Sequence, residues 1–265
     1  MHWEALKTQT AFTQTARLGV ITDVDGTISP IVDVPDAAQV SQTARQHLTR
    51  LAAALPLVGV ISGRGAADVR ERVGVAGAVY VGNHGMERWR DGAVEIPPDV
   101  RAYRPNLEAA IARIESALVG IEGAWVEDKG ATLSVHYRQA EDHDAVQARL
   151  HPVMAQIETA HDLRTFAGRM IYEVRPPIDT NKGSAFAALV REYDLTAAVY
   201  IGDDTTDIDA LKSAAALRQS GVCYAVGVGV ESAETPPAVI ENADYTAQGI
   251  PDVEAFLGWL VALNC

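Results

Sequence analysis

Short apolar runs alternate with helix-period stretches at both ends of the chain, and each run stops at a polar residue. Leu18-Gly-Val-Ile-Thr22, Leu57-Val-Gly-Val-Ile61, Ala78-Val-Tyr-Val81, Ala198-Val-Tyr-Ile201 and Cys223-Tyr-Ala-Val226 have the length and β-branched content of strands buried on both faces. Helices predicted over residues 37–54, 185–193 and 208–217 separate them. This alternation predicts an α/β domain with a doubly wound parallel sheet covered on both sides. Sheets of that kind place ligands beyond the carboxyl ends of their strands. Here those ends read Asp23-Val-Asp-Gly-Thr27, Ser62-Gly-Arg64, Gly82-Asn-His-Gly85 and Gly202-Asp-Asp204.

The middle of the chain has a different period. Leu107, Ile111, Ile114 and Leu118 recur at helical spacing, as do Val146, Leu150, Val153 and Ile157, where Pro152 is expected to kink or divide the helix. Between them Leu133, Val135 and Tyr137 alternate with Thr132, Ser134, His136 and Arg138. Met170, Tyr172 and Val174 then alternate with Ile171, Glu173 and Arg175. Helix, strand, helix, strand with half-polar strands predicts a small antiparallel α+β module, polar on one face. Pro105 and Pro176-Pro177 read as boundary markers. The expected division is a core of residues 1–100 and 178–265, interrupted by a cap at 101–177.

Composition narrows the functions open to such a chain. With 265 residues it can bury a core without disulfides or structural metals. Against 35 acidic residues stand 22 Lys and Arg, a net charge of −13, which excludes a general nucleic-acid binder because no basic surplus displaces counterions. A small anionic ligand stays compatible, since local charge can oppose the overall sign. Cys223 and Cys265 form no ligand-like cluster, so neither a zinc site nor a disulfide framework is expected. Residues 1–17 are polar and helix-like, with no signal-peptide pattern. No run approaches the ~18–20 apolar residues of a membrane span. A soluble, cytoplasmic monomer is expected, without membrane or nucleic-acid partners.

The strand ends carry the candidate chemistry. Asp23 and Asp25 are two apart in extended backbone and so reach the same side. Two carboxylates that close repel unless a cation or proton separates them, and a hard, oxygen-seeking ion such as Mg²⁺ satisfies both. Ser62 offers a hydroxyl and nearby N–H groups to a phosphoryl oxygen. Lys182 supplies a cation at a predicted helix start, where the dipole already favours an anion. Asp203, Asp204 and Asp207 add further oxygens. Each feature alone is more often a turn, a cap or a solvated lysine. Four in this order, each beyond a buried strand or opening a helix, point to one phosphate-handling site.

Asp23-Val-Asp-Gly-Thr27, Ser62, Lys182 and Gly202-Asp-Asp-Thr-Thr-Asp207 resemble the four motifs of the haloacid-dehalogenase-like phosphohydrolases. The inserted cap resembles the subgroup whose cap closes over the sheet. Gly82-Asn-His-Gly-Met-Glu87, Val126-Glu-Asp-Lys129, Ser134-Val-His-Tyr-Arg138, Glu173-Val-Arg-Pro176 and Asn181-Lys-Gly183 are similar to segments of the trehalose-6-phosphate phosphatases. The likeness runs from about Leu18 to Leu260. The chain departs from the family pattern at Ile208, where an acidic residue is usual.

The resemblance implies roles position by position. Asp23 would be the nucleophile and Asp25 the general acid and later base. Mg²⁺ would be held by Asp23, the main-chain carbonyl of Asp25, and Asp203, with Asp207 or Asp204 in support. Ser62 and Lys182 would hold and neutralise the phosphoryl group, with Gly63, Arg64, Asn83 and His84 as further substrate contacts. Glu127, Lys129 and Glu173 would bind sugar hydroxyls, joined by His136, Arg138 and Arg175. The expected substrate is a small-molecule sugar phosphate, trehalose 6-phosphate first. Alternatives are another sugar phosphate (sucrose-type, glucosylglycerate or monosaccharide), a phosphoaspartate-based regulatory module of the receiver kind, or a non-catalytic relative.

Overall fold

In the computed structural model, which describes residues 1–15, 17–32, 39–168 and 170–265, the apolar runs form the inner strands of a mixed eight-stranded sheet. In chain order the strands are β1 (Leu18–Thr22), β2 (Leu57–Ile61), β3 (Val79–Gly82), β4 (Glu87–Arg90), β5 (Ala93–Glu95) and β6 (Trp125–Asp128). They continue with β7 (Leu133–His136), β8 (Arg164–Gly168), β9 (Ile171–Arg175), β10 (Ala197–Gly202), β11 (Tyr224–Glu231) and β12 (Tyr245–Gln248). The large sheet has the order β12-β11-β10-β1-β2-β3-β4-β5. Its first six strands are parallel, and β4 and β5 add an antiparallel edge. Every residue of β1, β2 and β10 is buried, as expected of strands with helices on both sides. The fold is α/β.

The chain divides into two compact units, one of Met1–Glu95 with Thr180–Cys265 and one of Ile96–Asp179. In the first, the helix Gln42–Ala54 buries Ala44, Leu48 and Leu51, and Ser41 caps it by accepting from the Ala44 N–H. It begins later than the predicted start near residue 37, and residues 37 and 38 lie outside those described. The helix Lys182–Glu192 starts three residues earlier than predicted, because Asn181 and Ser184 form a reciprocal capping box. Instead of one leading helix, the N-terminal segment forms a 3₁₀ stretch at Trp3–Thr8 and a helical turn at Thr10–Thr13. Its apolar side chains Trp3 and Phe12 stack against Phe256 and Trp259 of the helix Gly249–Asn264.

In the second unit the antiparallel order is β6-β7-β9-β8. The helices Arg104–Leu118 and His143–His161 share one core with Leu133, Val135, Tyr172 and Val174. Pro152 does not divide the second helix, and Met154 rather than Val153 takes the buried position after Leu150. Pro105 lies in the first turn of its helix, where a missing N–H is tolerated. Among the described residues no helix is long and apolar enough to cross a membrane.

Candidate active site

Both Asp23 and Asp203 leave buried parallel strands, β1 and β10, that pair directly with each other. Gly26 makes their approach feasible. Its φ is +83°, and a Cβ there would stand 2.0 Å from Asp203 Oδ2. Thr27, from the same turn, donates to Asp203 Oδ1 at 2.9 Å. Lys182, the first residue of its helix, is buried with its ammonium 3.1 Å from Asp23 Oδ1 and 2.7 Å from Asp207 Oδ1.

Asp207 is held by four donors. Lys182 Nζ and Tyr200 Oη donate to Oδ1, at 2.7 and 2.6 Å. The backbone N–H groups of Asp203 and Asp204 donate to Oδ2, at 3.1 and 2.9 Å. A carboxylate has about four acceptor positions, so Asp207 is occupied in bracing Lys182 and the Asp203 turn. Carboxylate oxygens of Asp23, Asp203 and Asp207 still come within 4.8 Å of one another. This buried, all-oxygen set fits a hard divalent cation, with the larger free coordinating capacity on Asp23 and Asp203.

Asp25 faces a different partner. Arg64 grips it with two hydrogen bonds, Nε to Oδ2 at 2.6 Å and Nη2 to Oδ1 at 2.8 Å, and also reaches Asp68. The turn that carries Arg64 is braced from β3 and β4. The Asn83 N–H donates to the Arg64 carbonyl, the His84 N–H donates to the Ser62 carbonyl, and Glu87 accepts from the Ala66 N–H at 2.6 Å. Asn83 and His84 both hold positive φ, 48° and 56°, a strained conformation that recurs at functional sites. A Cβ on Gly63 would lie 2.7 Å from the His84 ring, so the glycine makes room for the imidazole.

The six cap candidates sit in the second unit. Glu127 (β6) and Glu173 (β9) share a row with Ser134 of β7. His136 Nε2 lies 2.7 Å and Lys129 Nζ 3.8 Å from Glu127 Oε2, and Arg175 pairs with Glu173. Arg138 lies past the end of β7, exposed. Sequence reading gave no role to Thr27, Tyr200 or Glu87. Thr27 and Glu87 stood inside quoted motifs, whereas Tyr200 read as one more apolar strand residue.

Burial holds the Asp23 carboxyl well above the usual carboxylate range, against the pull of Lys182, and Asp207 and Asp203 raise it further. Burial, then Asp207, pushes Asp203 up to about 7. For Lys182 burial acts downward, but Asp207 and Asp23 outweigh it and keep the ammonium charged. Between 3.8 and about 7 the folded chain retains a proton on Asp203 that the unfolded chain has lost, so stability falls as pH rises through that window. In chelator the melting temperature is expected to fall between pH 6 and pH 8. A divalent cation, which needs the ionised acids, should then raise the melting temperature more at pH 8 than at pH 6. Equal gains at both pH values would contradict this placement of charge.

The fold is that of the haloacid dehalogenase-like hydrolases. One such hydrolase from Bacteroides thetaiotaomicron superposes with a TM-score of 0.64 at 15% identity, covering 93% of this chain and 100% of its own. The C-terminal domain of a trehalose-6-phosphate phosphatase from C. albicans gives 0.75 at 22% identity, covering 96% and 94%. The family model described as trehalose-phosphatase matches residues 21–246, and the chain belongs to that family. A curated trehalose-phosphate phosphatase of Mycobacterium avium is 40% identical over 200 residues, which are 72% of this chain and 50% of the relative. The chain spans about half the length of the curated relatives it matches.

Proposed function

We propose that the chain is a Mg²⁺-dependent phosphatase that hydrolyses trehalose 6-phosphate to trehalose and phosphate through an aspartyl phosphate on Asp23. The observation that carries this reading is the Lys182 ammonium set between Asp23 and Asp207, beside Asp203, at the carboxyl ends of two paired strands. The family and the printed names of the relatives support the substrate.

An Asp23 oxygen attacks phosphorus, the bond from phosphorus to the sugar oxygen breaks, and that oxygen takes the proton of Asp25. Asp25 then removes a proton from the water that attacks the aspartyl phosphate. The bond from phosphorus to Asp23 breaks, and phosphate leaves. Lys182 and the Ser62 hydroxyl hold the phosphoryl oxygens. Arg64 fixes the orientation of Asp25 and must yield when Asp25 engages the sugar oxygen. Asp23, Asp203 and the main-chain carbonyl of Asp25 would hold Mg²⁺, which when bound neutralises charge on the transferring group. In the second unit, charged groups such as Glu127, Lys129 and Glu173 hydrogen-bond sugar hydroxyls. The division of labour between a core and a cap, with boundaries read from the sequence at 100/101 and 177/178, belongs to this proposal.

Phosphate release from trehalose 6-phosphate, sucrose 6-phosphate, glucose 6-phosphate and p-nitrophenyl phosphate tests the reading. The first is expected to lead in kcat/KM by about tenfold or more. EDTA should abolish turnover and Mg²⁺ restore it, whereas Ca²⁺, with its looser shell, should support little. Full activity in excess chelator would remove the metal from the mechanism. Equal turnover of all the sugar phosphates would remove trehalose from it.

A further inference from the structure

A row of alternating charges leads away from Asp25. Arg64 donates to both of its carboxylate oxygens, at 2.6 and 2.8 Å. The same guanidinium donates through Nη1 to Asp68 Oδ2 at 3.3 Å, and Asp68 Oδ1 accepts from Arg72 Nε at 2.7 Å. Asp68 and Arg72 belong to the helix Ala66–Val73, which follows the Arg64 turn. An acid in the first turn of a helix, with an arginine four residues on, is by itself an ordinary surface pair. Two observations go beyond that. The side chains of Arg64 and Arg72 are only 17% and 13% exposed, and through Arg64 the row ends on the residue assigned as general acid.

The main chain of Arg64 has little freedom. Its N–H donates to Ser62 Oγ at 3.2 Å, and its carbonyl accepts from the Asn83 N–H at 2.8 Å. Two residues on, the buried Glu87 holds the Ala66 N–H. Movement of the guanidinium is therefore left to the side-chain torsions, in which arginine is rich. Asp25 accepts two hydrogen bonds in this arrangement and has to turn an oxygen to the leaving sugar oxygen for proton transfer. When that contact opens, Asp68 is a carboxylate that the guanidinium already touches. A carboxylate has about four acceptor positions, enough for Asp68 to take a second hydrogen bond from Arg64 beside the one from Arg72.

We propose that Asp68 is a positioning residue for the acid–base step. It holds the Arg64 guanidinium when Asp25 turns to the leaving oxygen, and so keeps the arginine from following the acid and blocking it. Arg72 fixes Asp68 from the far side. Without Asp68, the charge of Arg64 bears on Asp25 as the one carboxylate of the row, and proton transfer has to break the full clamp. This rests on the phosphatase reading above and adds to it a residue that needs no contact with substrate.

Asp68→Ala, Asp68→Glu, Arg64→Ala and the double variant Arg64→Ala with Asp68→Ala test it in the full chain. The readout is kcat/KM on two substrates. One is the sugar phosphate that the parent turns over best, trehalose 6-phosphate by the reading above, whose leaving oxygen needs a proton. The other is p-nitrophenyl phosphate, whose leaving group needs none. Asp68→Ala is expected to lower the first about tenfold and the second less than about threefold, the scale on which a misaligned catalytic group costs rate. Asp68→Glu should recover most of the loss. In the Arg64→Ala chain, adding Asp68→Ala should cost nothing further, because Asp68 acts through Arg64. Full activity of Asp68→Ala on the sugar phosphate overturns this inference alone. Equal losses on both substrates, or the same loss with and without Arg64, overturn it too, since they mark a role in the helix. A parent that releases phosphate from no sugar phosphate overturns the phosphatase reading with it.

Discussion

Asp23→Asn is expected to leave no measurable hydrolysis of trehalose 6-phosphate or of p-nitrophenyl phosphate, a loss on the order of 10⁵-fold or more. The substitution keeps the shape of the side chain and removes only the charged nucleophile. It should not act through the fold. The carboxyl of Asp23 is held above its usual range by burial and by Asp207 and Asp203, so its ionised form is disfavoured in the folded chain. An amide there relieves that repulsion. In chelator the variant is therefore expected to melt no lower than the parent, and loss of activity with retained stability separates chemistry from misfolding. Asp25→Asn supplies the contrast. Loss of a general acid lowers rate by roughly 10²–10⁴-fold, and the deficit should be larger for a sugar hydroxyl than for p-nitrophenol, which leaves without a proton. Residual turnover by Asp23→Asn on either substrate would move the nucleophile elsewhere.

The catalytic strands were legible because burial on both faces allows few residue types. β1, β2 and β10 read as uninterrupted apolar runs, and the polar residues that end them stand out for the same reason. The edges were not legible. β8 is Arg-Thr-Phe-Ala-Gly, mostly exposed, and β6 is Trp-Val-Glu-Asp. An edge strand with one solvated face does not need the alternation that marks an inner strand such as β9. The β4–β5 hairpin did leave a signal. Asp91-Gly92 joins its strands with positive φ at both residues, the turn that a two-residue hairpin favours.

Sequence order predicted Asp23, Asp25, Ser62, Asp203 and Asp207 beyond strand ends and Lys182 at a helix start, but it could not apportion their contacts. Asp207 read as one more metal oxygen. Its fourfold engagement depends on Tyr200 pointing from inside β10 and on the backbone of Asp203 and Asp204 folding back. The Arg64–Asp25 clamp joins residues 39 apart and arises because β1 and β2 are neighbours in the sheet. Such pairings belong to topology, which no local pattern encodes.

That apportioning makes Lys182→Met the most informative substitution for stability. The ammonium is buried and faces two carboxylates, Asp23 at 3.1 Å and Asp207 at 2.7 Å. Methionine keeps the apolar length and removes the charge, leaving both acids buried without it. Removing one partner of a buried ion pair destabilises by about 3–5 kcal/mol, because the penalty lies in the charge left behind. Activity should fall about 10²–10³-fold or further, since a preorganised cation beside the transferring phosphoryl group is lost. Stability and activity should then part in a second step. In Lys182→Met with Asp207→Asn, the amide oxygen can still accept from the Asp203 and Asp204 N–H groups while its NH₂ donates to the Tyr200 oxygen. The double variant is expected to regain most of the lost stability in denaturant titrations and none of the lost turnover. If the single variant unfolds at the parent's denaturant concentration, Lys182 does not neutralise this pair. If the double variant regains turnover as well as stability, the lysine acts on the fold and has no part in phosphoryl transfer.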